Sequence, residues 1–243
     1  MENNNAGFEA LLQQLQPFAQ VVAFNPAQDK LLHLDFTAAN KALNAALLAD
    51  AAAFSRYVQQ QIDTAGARYG IGGYNEHRAI YAQKNLFDNN SEETARCIHL
   101  ATDIWAPAGT PVYAPFDGTV HSFAFNEPAG DYGATIILQH AVSGMVFHTL
   151  YGHMSLRDLT SLKEGMPVAR GSLLAHFGDL HENGQWPPHL HFQLIRDMEG
   201  RKGDYPGVCA IPHRSQYLAN CPDPDKVLNM MQYAKVHGMA HKA

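Results

Sequence analysis

The stretch PVYAPFDGTVHSF, residues 111–123, sets an Asp117-Gly118 pair between two short runs rich in Val, Tyr, Thr and Phe. Asp-Gly supplies the positive φ that a two-residue hairpin turn requires, so 111–114 and 119–123 read as paired antiparallel strands. The same pattern repeats further along. Ser143-Gly144 separates 135–140 from 145–153, and 172–177 and 189–195 are further short apolar runs between turn residues. Short strands joined by turns predict antiparallel sheets packed as a sandwich or a partly open barrel.

Before Arg68 the composition differs. Phe8, Leu11, Leu12, Leu15, Phe18 and Ala19 recur at helical spacing over 8–23, with Pro17 as a kink or stop. Residues 32–37 alternate like a strand, and 38–64, rich in Ala, Leu and Gln, favour helix with a break at Asp50. Gly70-Ile71-Gly72-Gly73-Tyr74 marks a boundary. The chain therefore reads as α+β. A helical N-terminal extension covers 1–67, a mainly antiparallel β domain 68–203, and a C-terminal tail with a short helix near 224–234 covers 204–243. The apolar stripes of the extension suit core packing, a homodimer contact or a cover over a groove.

Composition narrows the function classes. Of 243 residues 46% are hydrophobic and 16% charged, which excludes charge-driven disorder. With 17 basic against 23 acidic residues, a net charge of −6 and no Lys/Arg cluster, nucleic acid is not an expected partner. Cys97, Cys209 and Cys221 form no disulfide framework or Cys-type zinc site, although a Cys209–Cys221 bond stays open. No Lys or Arg precedes Lys30, so no secretory signal is read, and no uncharged apolar run approaches transmembrane length. The expected location is cytoplasmic as encoded, with signal-independent export as a route outward.

Histidine is the surplus residue. Nine of the 14 lie between His99 and His191. In Pro188-His189-Leu190-His191-Phe192, strand alternation puts both imidazoles on one face and Leu190 and Phe192 on the other. Their Cα atoms are about 7 Å apart at strand rise, so one can ligate a metal while the other stands beside it as acid or base. His99 and Asp103 offer a second pair of ligands, about 13 Å apart if fully extended, so the chain must bend there for both to bind one ion. Thr149, Tyr151 and His153 read as one face of a strand end. Taken alone, each segment has a plain structural reading; taken together and in this order they favour catalysis.

These three segments resemble the signatures of the lysostaphin-type zinc endopeptidases, a family of peptidoglycan hydrolases: HxxxD, an intermediate Tyr-x-His, and HxH. The resemblance continues through residues 108–120, Asp131-Tyr132-Gly133 and residues 164–171, and covers about 96–195. It implies a Zn2+ held by His99, Asp103 and His191, with water in the open position flanked by His153 and His189. A ligand set of two His and one carboxylate matches an open catalytic zinc site. It also implies a zinc metallopeptidase acting on peptide bonds of peptidoglycan stems or cross-bridges, with muropeptides as substrate.

Several features depart from the family. Ala101 stands in HxxxD where Gly is usual, Gln193 follows Phe192 where an acid is common, and the long loop 178–188 replaces a short approach to HxH, edging the cleft. Tyr151 and Trp186 are candidates to stack on substrate, with packing as the plainer role. His121, His140 and His176 read as structural, His181 as a loop residue, and Asn75, Glu76 and His77 as a turn that could wall the cleft or cap the metal. Rival readings are a non-peptidase on a similar β fold, such as a histidine phosphocarrier, and a catalytically silent interaction protein. Neither has a chemical need for all five site residues.

Overall fold

A computed structural model describes residues 2–83, 94–127 and 129–236. The elements in chain order are α1 (Glu2–Gln14), β1 (Leu31–His33), α2 (Ala45–Ala49), α3 (Ala51–Ala65), β2 (Tyr69–Gly72), β3 (Arg96–His99), β4 (Thr102–Trp105), β5 (Pro111–Tyr113), β6 (Gly118–Asn126), β7 (Gly133–Val142), β8 (Met145–Met154), β9 (Pro167–Val168), β10 (Leu173–His176), β11 (His189–Ile195), β12 (Val208–Ala210), α4 (Arg214–Asn220), α5 (Asp225–Leu228) and β13 (Ala234–Val236).

Local chemistry sets these boundaries. Asp50 closes α2 and caps α3, accepting the Ala53 amide at 2.9 Å, and Gly66 ends α3 in the left-handed conformation at φ 58°. The break expected at Asp50 is thus a cap. Ser143-Gly144 turns β7 into β8, and both residues have positive φ.

One open sheet runs in the order β13-β1-β2-β4-β11-β8-β7-β6-β9. It is antiparallel except where β1 pairs in parallel with β13 and β2. Two small ribbons, β10 with β5 and β12 with β3, complete the strands. The chain is mainly antiparallel β with helices packed on it, and the sheet does not close into a barrel.

Two expectations need correction. Residues 111–114 and 119–123 do not pair with each other: β5 pairs with β10, whereas β6 pairs with β7 and β9. Local turn chemistry at Asp117-Gly118 is overridden by long-range pairing, and Asp117 instead accepts the Arg170 amide at 2.8 Å. The boundary read at Gly70–Tyr74 falls within the sheet, since Tyr69–Gly72 is a buried strand beside β4. Through β1 and β13, one sheet joins the segments 1–67, 68–203 and 204–243.

Apolar residues cover both faces of the sheet. On one face Leu190, Phe192 and Leu194 meet Tyr151, Ile104 and the α1 residues Phe8, Leu11 and Leu12, with Phe8 edge-on to Phe147 at 5.5 Å. On the other, Phe36, Phe54, Val58 and Ile62 from the N-terminal part join Trp105, Tyr81 and Trp186. The apolar stripes of α1 and α3 are therefore spent within the chain. Among the described residues no helix is long and apolar enough to cross a membrane. The three cysteines are free thiols, which answers the Cys209–Cys221 question.

His140 is a structural histidine with a measurable consequence. It is fully buried, its Nδ1 donates to the Asp117 carbonyl at 2.8 Å, and burial pushes its pKa down to about 4. A depressed folded-state pKa means the unfolded chain binds the extra proton first, so stability is lost as pH falls from about 6.5 toward 4. Metal-free protein is expected to lose about 2 kcal/mol between pH 7 and 4.5 through this group. In urea melts His140→Gln should shrink that loss; an unchanged loss would remove His140 from the account.

Candidate metal centre

β3 ends at His99 and β4 begins at Thr102, so the chain bends through Leu100 and Ala101 and returns Asp103 to His99. The Leu100 amide donates to the Gly207 carbonyl at 2.8 Å, which fixes the bend. β11 pairs with β4 in the register His191 to Asp103, placing the third group opposite the second. The result is a close triad. His99 Nε2 lies 3.1 Å from His191 Nδ1 and 3.4 Å from Asp103 Oδ1, and His191 Nδ1 lies 3.2 Å from the same oxygen.

The outer side of each group shows which atoms face inward. His99 Nδ1 donates to the Gly73 carbonyl at 3.0 Å, which leaves Nε2 as a lone pair. His191 Nε2 meets Gln193 Oε1 at 2.9 Å and the Tyr132 hydroxyl at 3.3 Å. Gln193 Nε2 donates to the Pro206 carbonyl at 3.1 Å, so its oxygen is the end turned to His191, and Nδ1 of that imidazole is the inward lone pair. Asp103 Oδ1 is buried with no hydrogen bond, while Oδ2 accepts from Arg78 Nη1 at 2.5 Å. Three buried lone pairs facing one another, with no proton between them, fit a divalent cation; all three ligand atoms lie within 4.8 Å of one another. Asp103 stays ionised although burial opposes it, because His99, Arg78 and His189 hold its pKa well below the usual carboxylate range.

His189 and His153 stand beside this triad. Their rings stack at 4.1 Å, and His189 also stacks on Trp105 at 5.6 Å. His189 Nδ1 donates to the Pro187 carbonyl at 2.7 Å and His153 Nδ1 to the Asn183 carbonyl at 2.8 Å. Each therefore keeps Nε2 as its basic nitrogen. Burial pushes the His189 pKa down to about 4 and the His153 pKa well below its usual value, so both are neutral at pH 7. The two neutral imidazoles, with Asp103 and His191 of the triad, line a cleft of about 240 Å³.

The structure divides the seven residues singled out in the sequence. His99, Asp103, His153, His189 and His191 come together, and Trp186 lines the same cleft, edge-on to Tyr81 at 6.0 Å. Tyr151 does not join them. It is fully buried on the opposite face, 5.5 Å from Phe192, so a stacking role on substrate is excluded by position. Simple alternation failed at this strand end because His153 adopts φ 64°. That left-handed residue returns its imidazole to the face of Gly152 and His191, which pair across the sheet.

Three further side chains hold the site in place, and of these only Arg78 lies outside the stretch that the family resemblance covers. Arg78 holds Asp103, Gln193 orients His191, and Tyr132 accepts from His191 while donating to the Tyr205 carbonyl at 2.9 Å. Gly152 makes room for Tyr132: a Cβ there would come within 2.5 Å of the phenol ring. Asn75, Glu76 and His77 form a turn and do not ligate; Asn75 Oδ1 accepts from Arg214 at 2.7 Å and Glu76 from Arg78 at 2.9 Å.

Comparison with known proteins bears on the same region. Residues 97–204 match the model of Peptidase family M23. The peptidoglycan DD-endopeptidase ShyA of Vibrio cholerae serotype O1 is 31% identical over 135 residues, which is 54% of this chain and 29% of that protein. An uncharacterized metalloprotease of Haemophilus influenzae is 32% identical over 187 residues, 73% of this chain and 36% of that protein. The crystal structure of a zinc containing peptidase from Vibrio cholerae is 32% identical, over 42% of this chain and 28% of that one, with a TM-score of 0.33. The chain spans well under half the length of the curated relatives it matches.

Proposed function

We propose, from the premise that residues 97–204 are a peptidase family M23 domain, that this chain is a zinc metallopeptidase that hydrolyses peptide bonds in peptidoglycan stem or cross-bridge peptides. The observation that carries this reading is the inward triad of His99, Asp103 and His191 beside two neutral histidines in one cleft. Bound there, zinc would act as a Lewis acid and lower the pKa of water.

The chain's own residues supply the rest. His153 and His189, each anchored through Nδ1, present Nε2 to the cleft: one would accept the proton of the attacking water, and the imidazolium so formed would face the charge developing on the scissile carbonyl oxygen and return that proton to the leaving amine. Two basic nitrogens in one cleft allow the proton to be taken and given without a side chain moving far. Trp105, Trp186 and Tyr81 wall the cleft and exclude bulk water, which strengthens each polar contact inside. The substrate class follows the relatives whose names record peptidoglycan endopeptidase activity.

The test is mass spectrometry of cross-linked muropeptides incubated with zinc-loaded protein, with His189→Ala as the matched blank. Cleavage products present with the wild type and absent with the variant are expected. A protein that holds equimolar zinc yet leaves every cross-link intact would overturn the substrate assignment.

A further inference from the structure

Arg78 touches the triad without belonging to it. The residue is 3% exposed, and its guanidinium donates to Asp103 Oδ2 at 2.5 Å, Glu76 Oε2 at 2.9 Å and the Tyr81 hydroxyl at 3.2 Å. Phe36, Trp105 and Tyr81 surround it, with ring centroids 5.6, 5.7 and 6.0 Å from Cζ. The backbone is shaped to admit it. Gly73 has φ 99°, and a Cβ at that position would overlap the guanidinium.

We infer that Arg78 is the internal counter-cation of Asp103, pairing and placing the buried carboxylate when no metal is bound, so that the chain folds metal-free and the ion enters a preformed site. This rests on the metal-site reading above and extends it to the state before the metal arrives.

The argument is electrostatic. A buried charge that has lost its partner is strongly destabilising. Asp103 is almost fully buried, and its Oδ1 faces two imidazole lone pairs. Without Arg78 the triad would gather three electron-rich atoms with no compensating charge, and folding would become tied to metal, as in small zinc modules. With Arg78, one side of the carboxylate is satisfied in advance and the other is left bare for the ion. The same guanidinium repels an incoming dication. Arg78 therefore stabilises the metal-free fold and weakens metal binding, two effects of opposite sign that loss of packing alone would not produce.

Thermal melts of the full chain, metal-free and with equimolar zinc, test this with the wild type, Arg78→Met and Arg78→Met/Asp103→Asn. Metal-free Arg78→Met is expected to melt roughly 6–20 °C below the wild type. Zinc should raise its Tm by more than it raises that of the wild type, and adding Asp103→Asn should recover part of the metal-free loss. If Arg78→Met is unfolded without metal, folding on addition of zinc supports the inference, and failure to fold with zinc and in the double variant overturns it. An equal zinc response with no recovery in the double variant also overturns it, leaving Arg78 as packing. Should the wild type bind no zinc, the metal reading fails, while recovery or its absence in the metal-free double variant still decides this inference.

Discussion

Protein carrying His191→Ala is expected to purify without the equimolar zinc expected of the wild type, and to lose hydrolysis about a thousandfold or more. Lewis-acid stabilisation by a catalytic ion amounts to several kcal/mol, and each ~1.4 kcal/mol is a factor of ten in rate. His191 is the cleanest of the three ligands to remove. Its departure strands Gln193 Oε1 and the Tyr132 hydroxyl, which can turn to each other at 3.5 Å. Asp103→Ala should also lose zinc, but it takes one of two carboxylates from a buried guanidinium, so a stability loss accompanies it. Metal content after gel filtration, read beside a thermal melt, separates the two effects. Full zinc occupancy in folded His191→Ala would remove that residue from the ligand set.

The triad of His99, Asp103 and His191 was legible as a candidate because its chemistry is encoded locally. HxH on a strand places two imidazoles on one face by geometry alone, and β11 shows that arrangement with Leu190 and Phe192 on the other side. For HxxxD, the spacing required a bend, and Leu100-Ala101 provides it. Alternation misled at Tyr151 because one left-handed residue, His153, reverses the face of the strand end, and a positive φ at a non-glycine leaves no trace in the residue pattern. The supposed hairpin at Asp117-Gly118 failed because β5 finds its partner some 60 residues later in β10, a long-range pairing that turn chemistry does not report. Likewise β1 is three residues long and β2 is half glycine, so neither announces that the N-terminal part extends the main sheet. Arg78 was invisible for a related reason: it lies 25 residues before Asp103, in a turn whose other polar residues looked more like ligands.

His189→Ala is expected to keep one zinc per chain and lower kcat by about 10²- to 10⁴-fold, the usual worth of a positioned general acid or base, with KM little changed. Zinc should stay because His189 makes no hydrogen bond to the triad; its Nε2 is 3.9 Å from Asp103 Oδ2, the oxygen already occupied by Arg78. His153→Ala should behave alike, since its ring is stacked on His189 and its Nδ1 is fixed in the same way by a backbone carbonyl. Two histidines 4.1 Å apart that move protons for a single reaction act as one unit. Removing both should therefore cost little more than removing the more important one, because residues that work together are non-additive. Multiplicative losses in the double variant would instead mean that they serve separate steps. Full activity in His189→Ala, with zinc bound and the fold intact, would show that His189 moves no proton and only packs between Trp105 and His153.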